Sequence, residues 1–423
     1  LGKNTTNDAI NVTRILFSTL LILTCYTAQC DVTYVGKSHE IKSIKKAVAN
    51  ALPFDTIVVE KGIYKEGNIV ITKSICLIGQ PGAILDGEKK FEILTLSGKS
   101  FKVTGIQFRN SGTSAMNDFA AIKIIDATYF SIEKCIIINA HFAIHISNSN
   151  HFIINKNTIT GTPAEEQSTG NGIHLWKCSN ATIVNNYISG HRDGIYLEFV
   201  TESVTNHNFS EKNIRYGLHF MFSNNDKYEA NTFQNNGAGV AVMFSHHIQM
   251  HKNNFKLNRG ASAYGILLKE ISDGQVYQNT FSDNTVGIFM EGTNRITFSS
   301  NKFLSNGYAL KVQASCNENI IEKNTFYGNT FDVATNGSLV LNTLRCNYWD
   351  KYEGYDLNRD GTGDVPYRPV SLFAMIIENN PIAAMFMRSF MVTLLDKTEK
   401  IVPSITPENF KDDAPLMKPV LLN

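Results

Sequence analysis

From about Ile41 onward, hydrophobic positions come in short alternating bursts separated by Gly, Asp, Asn and Lys. Thr56-Ile-Val-Val-Glu60, Gly62-Ile-Tyr64, Ile69-Val-Ile71 and Ile75-Cys-Leu-Ile-Gly79 predict short strands, since β-branched residues alternate there between turn residues. Ser43-Ile-Lys-Lys-Ala-Val48 predicts a short helix ahead of them. A period then sets in. A small residue followed by an aliphatic one recurs at Ala121-Ile122, Ala143-Ile144, Gly172-Ile173, Gly194-Ile195, Gly217-Leu218, Gly239-Val240, Gly265-Ile266, Gly287-Ile288 and Ala309-Leu310. The spacings are 22, 29, 22, 23, 22, 26, 22 and 22. The long spacing contains the insertion Thr162-Pro-Ala-Glu-Glu-Gln-Ser168.

A second series runs in phase: Asn157, Asn186, Asn231, Asn253, Asn279, Asn301, Asn324 and Asn347, most followed at the second position by an aromatic or Ile. Cys135 takes the Asn place in Glu133-Lys-Cys135, and the coil around Phe209 reads as irregular. A strand-rich repeat of this length is one coil of a parallel β-helix. The predicted fold is therefore all-β: a right-handed parallel β-helix, a pectin-lyase-like solenoid, over residues 31–370, with a C-terminal helical extension over 371–423. A dozen coils would make a rod of roughly 55–60 Å at about 4.8 Å per coil. Its open ends need covers, and Ser43–Val48 is the expected cap of one.

Composition fits this reading. Asn is about a tenth of the chain. Corner positions explain that excess, because Asn tolerates the left-handed conformation and stacked amides bond from coil to coil. Lys+Arg is 39 and Asp+Glu 38, a net charge of +1, so no bulk electrostatic footprint for nucleic acid or anionic membrane exists. The 7 cysteines include no C-x-x-C pair, which argues against a structural zinc site and favours scattered core thiols. Residues 1–30, with the apolar run Ile15 to Leu23 after Lys3 and Arg14, read as a signal peptide.

Beyond residue 370 the period stops. Ser371 to Leu395 is helix-like and rich in Met and Phe, divided by Glu378-Asn-Asn-Pro381, and neither half has membrane-spanning length. It reads either as a cap of the β-helix or as a docking element, with Phe373, Met385, Phe386 and Phe390 as its contact residues.

In Gly-Ile-x-Leu-x the x positions face outward, and in-phase coils stack them into columns. One column reads Lys123, His145, His174, Tyr196, His219, Ala241, Leu267, Phe289, Lys311. Its neighbour reads Ser147, Trp176, Glu198, Met221, Met243, Lys269, Glu291, Gln313. His246, His247, Met250 and His251 follow at the next turn. Imidazole with thioether suits Cu(I), because soft sulfur selects it, and suits Ca²⁺ or Mg²⁺ badly. For a single histidine a packing role is the simpler account; the cluster fits metal or substrate binding. A catalytic reading of the same face, as a polysaccharide lyase or epimerase acting on uronate polymers, would use Arg192, Asp193, Tyr196, Glu198, Arg215 and His219. Separately, Asp356, Asn358, Asp360, Gly361 and Asp364 match the start of a calcium loop, although position 12 is Tyr367. A weak calcium site and an Asx-turn network both fit that run.

Several non-repeat segments carry a family resemblance: Arg215-Tyr-Gly-Leu-His-Phe-Met-Phe-Ser-Asn224, Asn258-Arg-Gly-Ala-Ser-Ala-Tyr-Gly-Ile-Leu-Leu-Lys-Glu270, Glu291-Gly-Thr-Asn-Arg-Ile296, Asn347-Tyr-Trp-Asp-Lys-Tyr-Glu-Gly-Tyr-Asp356, Val365-Pro-Tyr-Arg-Pro369 and Ser371-Leu-Phe-Ala374. In this order they resemble the NosD family, periplasmic β-helix accessory proteins of nitrous oxide reductase maturation. The resemblance spans about residues 40 to 410, with Asn224-Asn-Asp226 a small departure. It implies a non-enzyme that helps assemble the reductase's copper–sulfide site. Its partners would be an ABC transporter membrane subunit, a copper chaperone lipoprotein and apo nitrous oxide reductase. Copper, transiently as Cu(I), or sulfur would be the cargo. The protein would be periplasmic and held at the cytoplasmic membrane by its transporter, with the Met/Phe helices docking there. His219 and Met221 lie in a matching segment and become the first choice for copper contact; His145, His174 and Met243 rest on the columns alone.

Overall fold

A chain that repeats the same alternation each coil can satisfy its backbone groups by stacking every coil on the last. The computed structural model, which describes residues 30–113, 118–162, 165–337, 341–387, 389–401 and 410–420, does this throughout. Residues 1–29 of the expected signal segment, 1–30, lie outside the described residues. Among the described residues thirteen strands of two to four residues, from Gly62–Tyr64 to Tyr348–Trp349, form one parallel sheet, and strands of three to fourteen residues form the remaining faces. The fold is a parallel β-helix. Register is kept from coil to coil, as in Ile173↔Ile195↔Leu218↔Val240↔Ile266↔Ile288↔Leu310, and every one of these residues is fully buried. The aromatic of the Asn-x-aromatic repeat points inward: Phe255, Phe281, Phe303, Phe326 and Trp349 stack with centroids 4.7, 4.9, 4.8 and 4.1 Å apart.

The Asn series is a continuous ladder inside the rod. Asn253 is typical: its Nδ2 donates to Asn279 Oδ1 at 3.1 Å and to Tyr228 O at 2.9 Å, while its Oδ1 accepts from Asn231 Nδ2 and N. The coil at Phe209 is not irregular. Asn208 holds the rung between Asn186 and Asn231, and Ser210 replaces the aromatic, donating to Gly217 O at 2.8 Å. The left-handed residue is also not the ladder Asn but the one before it: Lys156, Asn185, His207, Ala230, Lys252, Gln278, Ser300, Lys323 and Cys346 all have φ between 51° and 57°. That turn swings the next side chain inward, where the amide finds its partners. A second ladder, Asn213, Asn236, Asn258, Asn284, Asn306 and Asn329, lines the next corner.

Both ends are covered. The Ile44–Asn50 helix caps the first coil. The Glu66 carboxylate accepts from Ile44 N, Lys45 N and Ser43 Oγ at its N-terminus, and Lys73 Nζ donates to three carbonyls, of Val48, Ala49 and Ala51, at its C-terminus. These charges complement the helix dipole. At the other end the segment 410–420 returns to the rod. Asp412, wholly buried, takes the place of the next ladder Asn, accepting from Asn347 N, Asn347 Nδ2 and Trp349 Nε1.

Between them lie the Leu372–Asn379 helix, a 3₁₀ turn over Pro381–Phe386 and the Phe390–Ile401 helix. Ser371 caps the first, which seats Phe373, Ala374 and Ile377 on Phe331 and Ala334, with Glu378 paired to Lys311 at 2.6 Å. Phe373 is therefore a packing residue rather than a docking contact: it is 3 % exposed. Met385 and Phe390 are each 81 % exposed and Phe386 59 %, so this element keeps an uncovered apolar face. Among the described residues no helix is long and apolar enough to cross a membrane. All described cysteines are free thiols; burial pushes Cys135 up to about 12 and Cys178 up to about 11, which leaves both unreactive.

Candidate functional site

The two sequence columns are real. The register runs Lys123↔His145↔His174↔Tyr196↔His219↔Ala241 and, beside it, Ser147↔Trp176↔Glu198↔Met221↔Met243↔Lys269. The first column, however, is not open surface. His145 is 8 % and His219 5 % exposed, because aromatic residues from the preceding strand positions lean over them. Phe142 meets His145 and His174 at 5.5 Å, and Tyr216 meets His219 at 4.9 Å. His145, His174, Tyr196 and His219 make a continuous run of edge-on and tilted ring contacts with centroids 4.8, 4.8 and 4.7 Å apart.

Tyr196 divides the histidines into two groups. His145 and His174 are neighbours; Nδ1 of the first and both ring nitrogens of the second are buried without a hydrogen-bond partner. Burial, reinforced by the charges of His145, Arg192 and His219, pushes His174 down to about 3, so it is a neutral imidazole throughout the ordinary pH range. His219 stands on the other side with Met221 two residues along the same strand face, roughly 7 Å away by strand geometry. Met243 is registered directly on Met221. Met250, by contrast, is fully buried in the core and belongs to no surface patch.

His219 is held from several sides. Its Nδ1 lies 3.4 Å from Asp193 Oδ2, and Asp193 is 1 % exposed. Arg215 Nε is 3.7 Å from Asp193 and 3.5 Å from Glu166 of the insertion, and its guanidinium lies over the Tyr216 ring at 4.9 Å. The carboxylate favours the Nδ1–H tautomer, leaving a lone pair on Nε2, which is buried and has no partner. A buried nitrogen left bare costs about 1–3 kcal/mol unless something binds it. The donor set is thus a fixed imidazole beside two thioethers, which fits a soft monovalent ion. Among the described residues no cluster of three or more His, Cys, Asp or Glu is placed to hold a metal.

The rival catalytic set is partly assembled too: Asp193, Arg215, His219 and Tyr196 are in contact, while burial and Glu198 push the Tyr196 phenol up. In the calcium-like loop the carboxylates serve the backbone. Asp356 accepts from Asp360 N and Gly361 N, Asp360 Oδ1 from Thr362 N, and Asp364 from Leu357 N. The geometry is that of an Asx-turn network.

One feature of this face escaped sequence reading. Phe199, Phe222 and Phe244 each follow a residue of the second column, stack at 5.1 Å and stay about 40 % exposed, all with φ near 52°. Three left-handed phenylalanines in successive coils carry backbone strain that a Lys or Gly at the same corner, as at Lys177 or Gly292, bears at less exposed apolar cost. The signal was present as the repeated residue after Glu198, Met221 and Met243.

Residues 157–354 match the family described as "Periplasmic copper-binding protein (NosD)". Two relatives named "Probable ABC transporter binding protein NosD" align over most of the chain. That of Stutzerimonas stutzeri is 26 % identical over 84 % of this chain and 85 % of its own length. That of Pseudomonas aeruginosa is 28 % identical over 83 % and 86 %. Among solved structures, the A-module of the mannuronan C-5 epimerase AlgE6 from Azotobacter vinelandii superposes with a TM-score of 0.59 at 12 % identity. It covers 71 % of this chain and 94 % of that one, a likeness of fold.

Proposed function

Because the chain belongs to the NosD family, we propose that it is a periplasmic binding and handover protein in nitrous oxide reductase maturation, carrying Cu(I) as cargo and working with an ABC transporter. The observation that carries the site assignment is His219: buried, fixed by Asp193, with Nε2 bare and Met221 and Met243 on adjacent rungs beside it. All three lie inside the span that matches the copper-binding family, as does His174; His145 lies outside it. Imidazole nitrogen and thioether sulfur are ligands suited to Cu(I), since soft sulfur selects it and imidazole accepts it. Donor and acceptor would be a copper chaperone lipoprotein and the apo-reductase. The exposed Met385, Phe386 and Phe390 face would seat the protein on the transporter's membrane subunit.

Anaerobic Cu(I) titration against a competing chelator tests the site. His219→Ala/Met221→Ala should lose at least about tenfold in affinity, the equivalent of one good ligand. Equal affinity in the variant and the parent would remove the assignment. His145→Ala/His174→Ala, measured in parallel, tells whether the second imidazole pair is a separate site.

The contact of Asp193, Arg215, His219 and Tyr196 supports a second reading, an enzyme acting on uronate polymers with His219 or Tyr196 as base. New unsaturated ends or NMR-detected epimerisation on incubation with such polymers would favour it; neither should occur on the copper reading.

A further inference from the structure

The second Asn ladder ends at an imidazole. Asn213 Oδ1 accepts from the backbone N–H of His191 at 3.0 Å, as Asn236 Oδ1 accepts from that of Asn213 at 3.1 Å, so His191 stands where the repeat would set its next amide. An amide there would also donate its Nδ2 to Asn213 Oδ1, as Asn213 does to Asn236. The imidazole forgoes that bond. It is 1 % exposed, and its Nε2 has no hydrogen-bond partner.

The ring looks onto a cavity of about 380 Å³, whose wall also holds His141 and Gly161. None of these residues belongs to the columns above. Nε2 is on the cavity side: a Cβ on Gly161 would come within 3.0 Å of it and would press on Gly190 O as well. Gly161 has an ordinary backbone conformation, so the space and not a turn calls for glycine. The Gly170 carbonyl faces His191 and the Ser168 carbonyl faces His141, and each draws the ring N–H to its own side. That leaves each ring a lone pair on the other nitrogen, the way metal-ligating histidines are held. Burial pushes His191 down to about 4 and lowers His141 too, so both lone pairs are free of protons at neutral pH. Of the charges near His141, Asp118 favours a cation and Arg192 opposes it. Lys89, also in the wall, is exposed.

We infer that this corner binds a borderline divalent transition-metal ion, Zn²⁺, Cu²⁺ or Ni²⁺, through one nitrogen each of His141 and His191, with water in the remaining positions. Imidazole suits all three ions. Among the described residues the wall carries no thioether to select Cu(I) and no carboxylate to attract Ca²⁺. The volume admits the ion and several waters, at about 30 Å³ each. The site is separate from His219 and Met221 and does not rest on them.

The test is calorimetric titration of the full chain with Zn²⁺, Cu²⁺, Ni²⁺ and Ca²⁺ in separate arms. It is run in a non-coordinating buffer and in a His246→Ala/His247→Ala background, which removes the exposed imidazole pair. His191→Asn restores the ladder residue, so it should melt no lower than its background yet bind the ion at least about tenfold more weakly. His141→Ala should weaken binding to a similar degree, while His219→Ala/Met221→Ala should leave it unchanged. Should His191→Asn fold poorly, the imidazole ¹⁵N resonances of the background protein replace it: those of His141 and His191 should move together as Zn²⁺ saturates, and that of His39 should not. The inference is overturned by no saturable binding in the three transition-metal arms, by Ca²⁺ bound as tightly, by binding that survives both His191→Asn and His141→Ala, or by still His141 and His191 resonances. Loss of binding in His219→Ala/Met221→Ala would assign the ion to the columns and overturn it equally.

Discussion

Asp226 illustrates how one atom changes the behaviour of a ladder position. It is 1 % exposed, accepts from Ser203 N and Oγ through Oδ1, and has the buried Tyr228 hydroxyl beside it. Burial pushes its carboxyl up to about 7. In the unfolded chain the group ionises near pH 4, while in the folded chain it keeps its proton to neutrality. The unfolded state therefore gains from ionisation first, and stability falls as pH rises from about 4 to about 7, by up to roughly 4 kcal/mol. The same corner is filled by Asn319 and Asn342 further along the rod. Asp226→Asn should remove this slope. Urea midpoints measured at pH 5 and pH 8 should differ in the parent and converge in the variant, with the variant the more stable at pH 8. A parent with equal midpoints would show that Asp226 ionises normally. At an ordinary rung the sign is reversed: Asn253→Ala strands Asn231 Nδ2, Asn231 N and Tyr228 O, so it should cost about 2–4 kcal/mol in the same unfolding measurement.

At the scale of elements, the C-terminal extension splits into two parts with opposite chemistry. Phe373 is 3 % exposed against Phe331, so Phe373→Ala should destabilise the chain by about 3 kcal/mol and undock the helix. Phe390→Ser, at 81 % exposure, should leave the melting temperature unchanged. Differential scanning calorimetry of the two variants separates packing from surface. The sequence could not make that distinction, since one Met/Phe-rich pattern describes both residues and only the partner strand at Phe331 decides. The coils were far more legible: strict spacing of Gly-Ile pairs set the register, and the columns through His219 and Met221 follow from it. Burial of His145 and His219 in the first of them was not legible, because it depends on Phe142 and Tyr216 leaning across from positions the alternation treats as corners. Asp193 likewise reaches His219 across a coil, a contact between residues 26 apart that no local pattern encodes. The Asn208 rung was missed for a narrower reason: Ser210 replaced the aromatic that marked the other coils.

For the whole molecule, a rod closed at one end by the Ile44–Asn50 helix and at the other by Asp412 is a stiff spacer, since coil-to-coil strand pairing runs its length, the amide ladder runs from Asn157 to Asp412 and the inner ring stack from Phe233 to Trp349. A stiff rod fixes the distance between the proposed Cu(I) face and the proposed docking face, so the two functions should fail independently. Met385→Ser/Phe386→Ser/Phe390→Ser should abolish co-purification with the transporter while leaving Cu(I) affinity at its parental value. His219→Ala/Met221→Ala should do the reverse. In cells lacking the wild-type gene, both variants should yield reductase with depleted copper, measured per mole of purified enzyme. The docking variant fails by misplacing a loaded protein, the site variant by placing an empty one. If the docking variant restored full copper content, the exposed Met/Phe face would have no part in maturation; if it also lost Cu(I) affinity, the two faces would be one coupled site and the rod would not be the rigid element this fold implies.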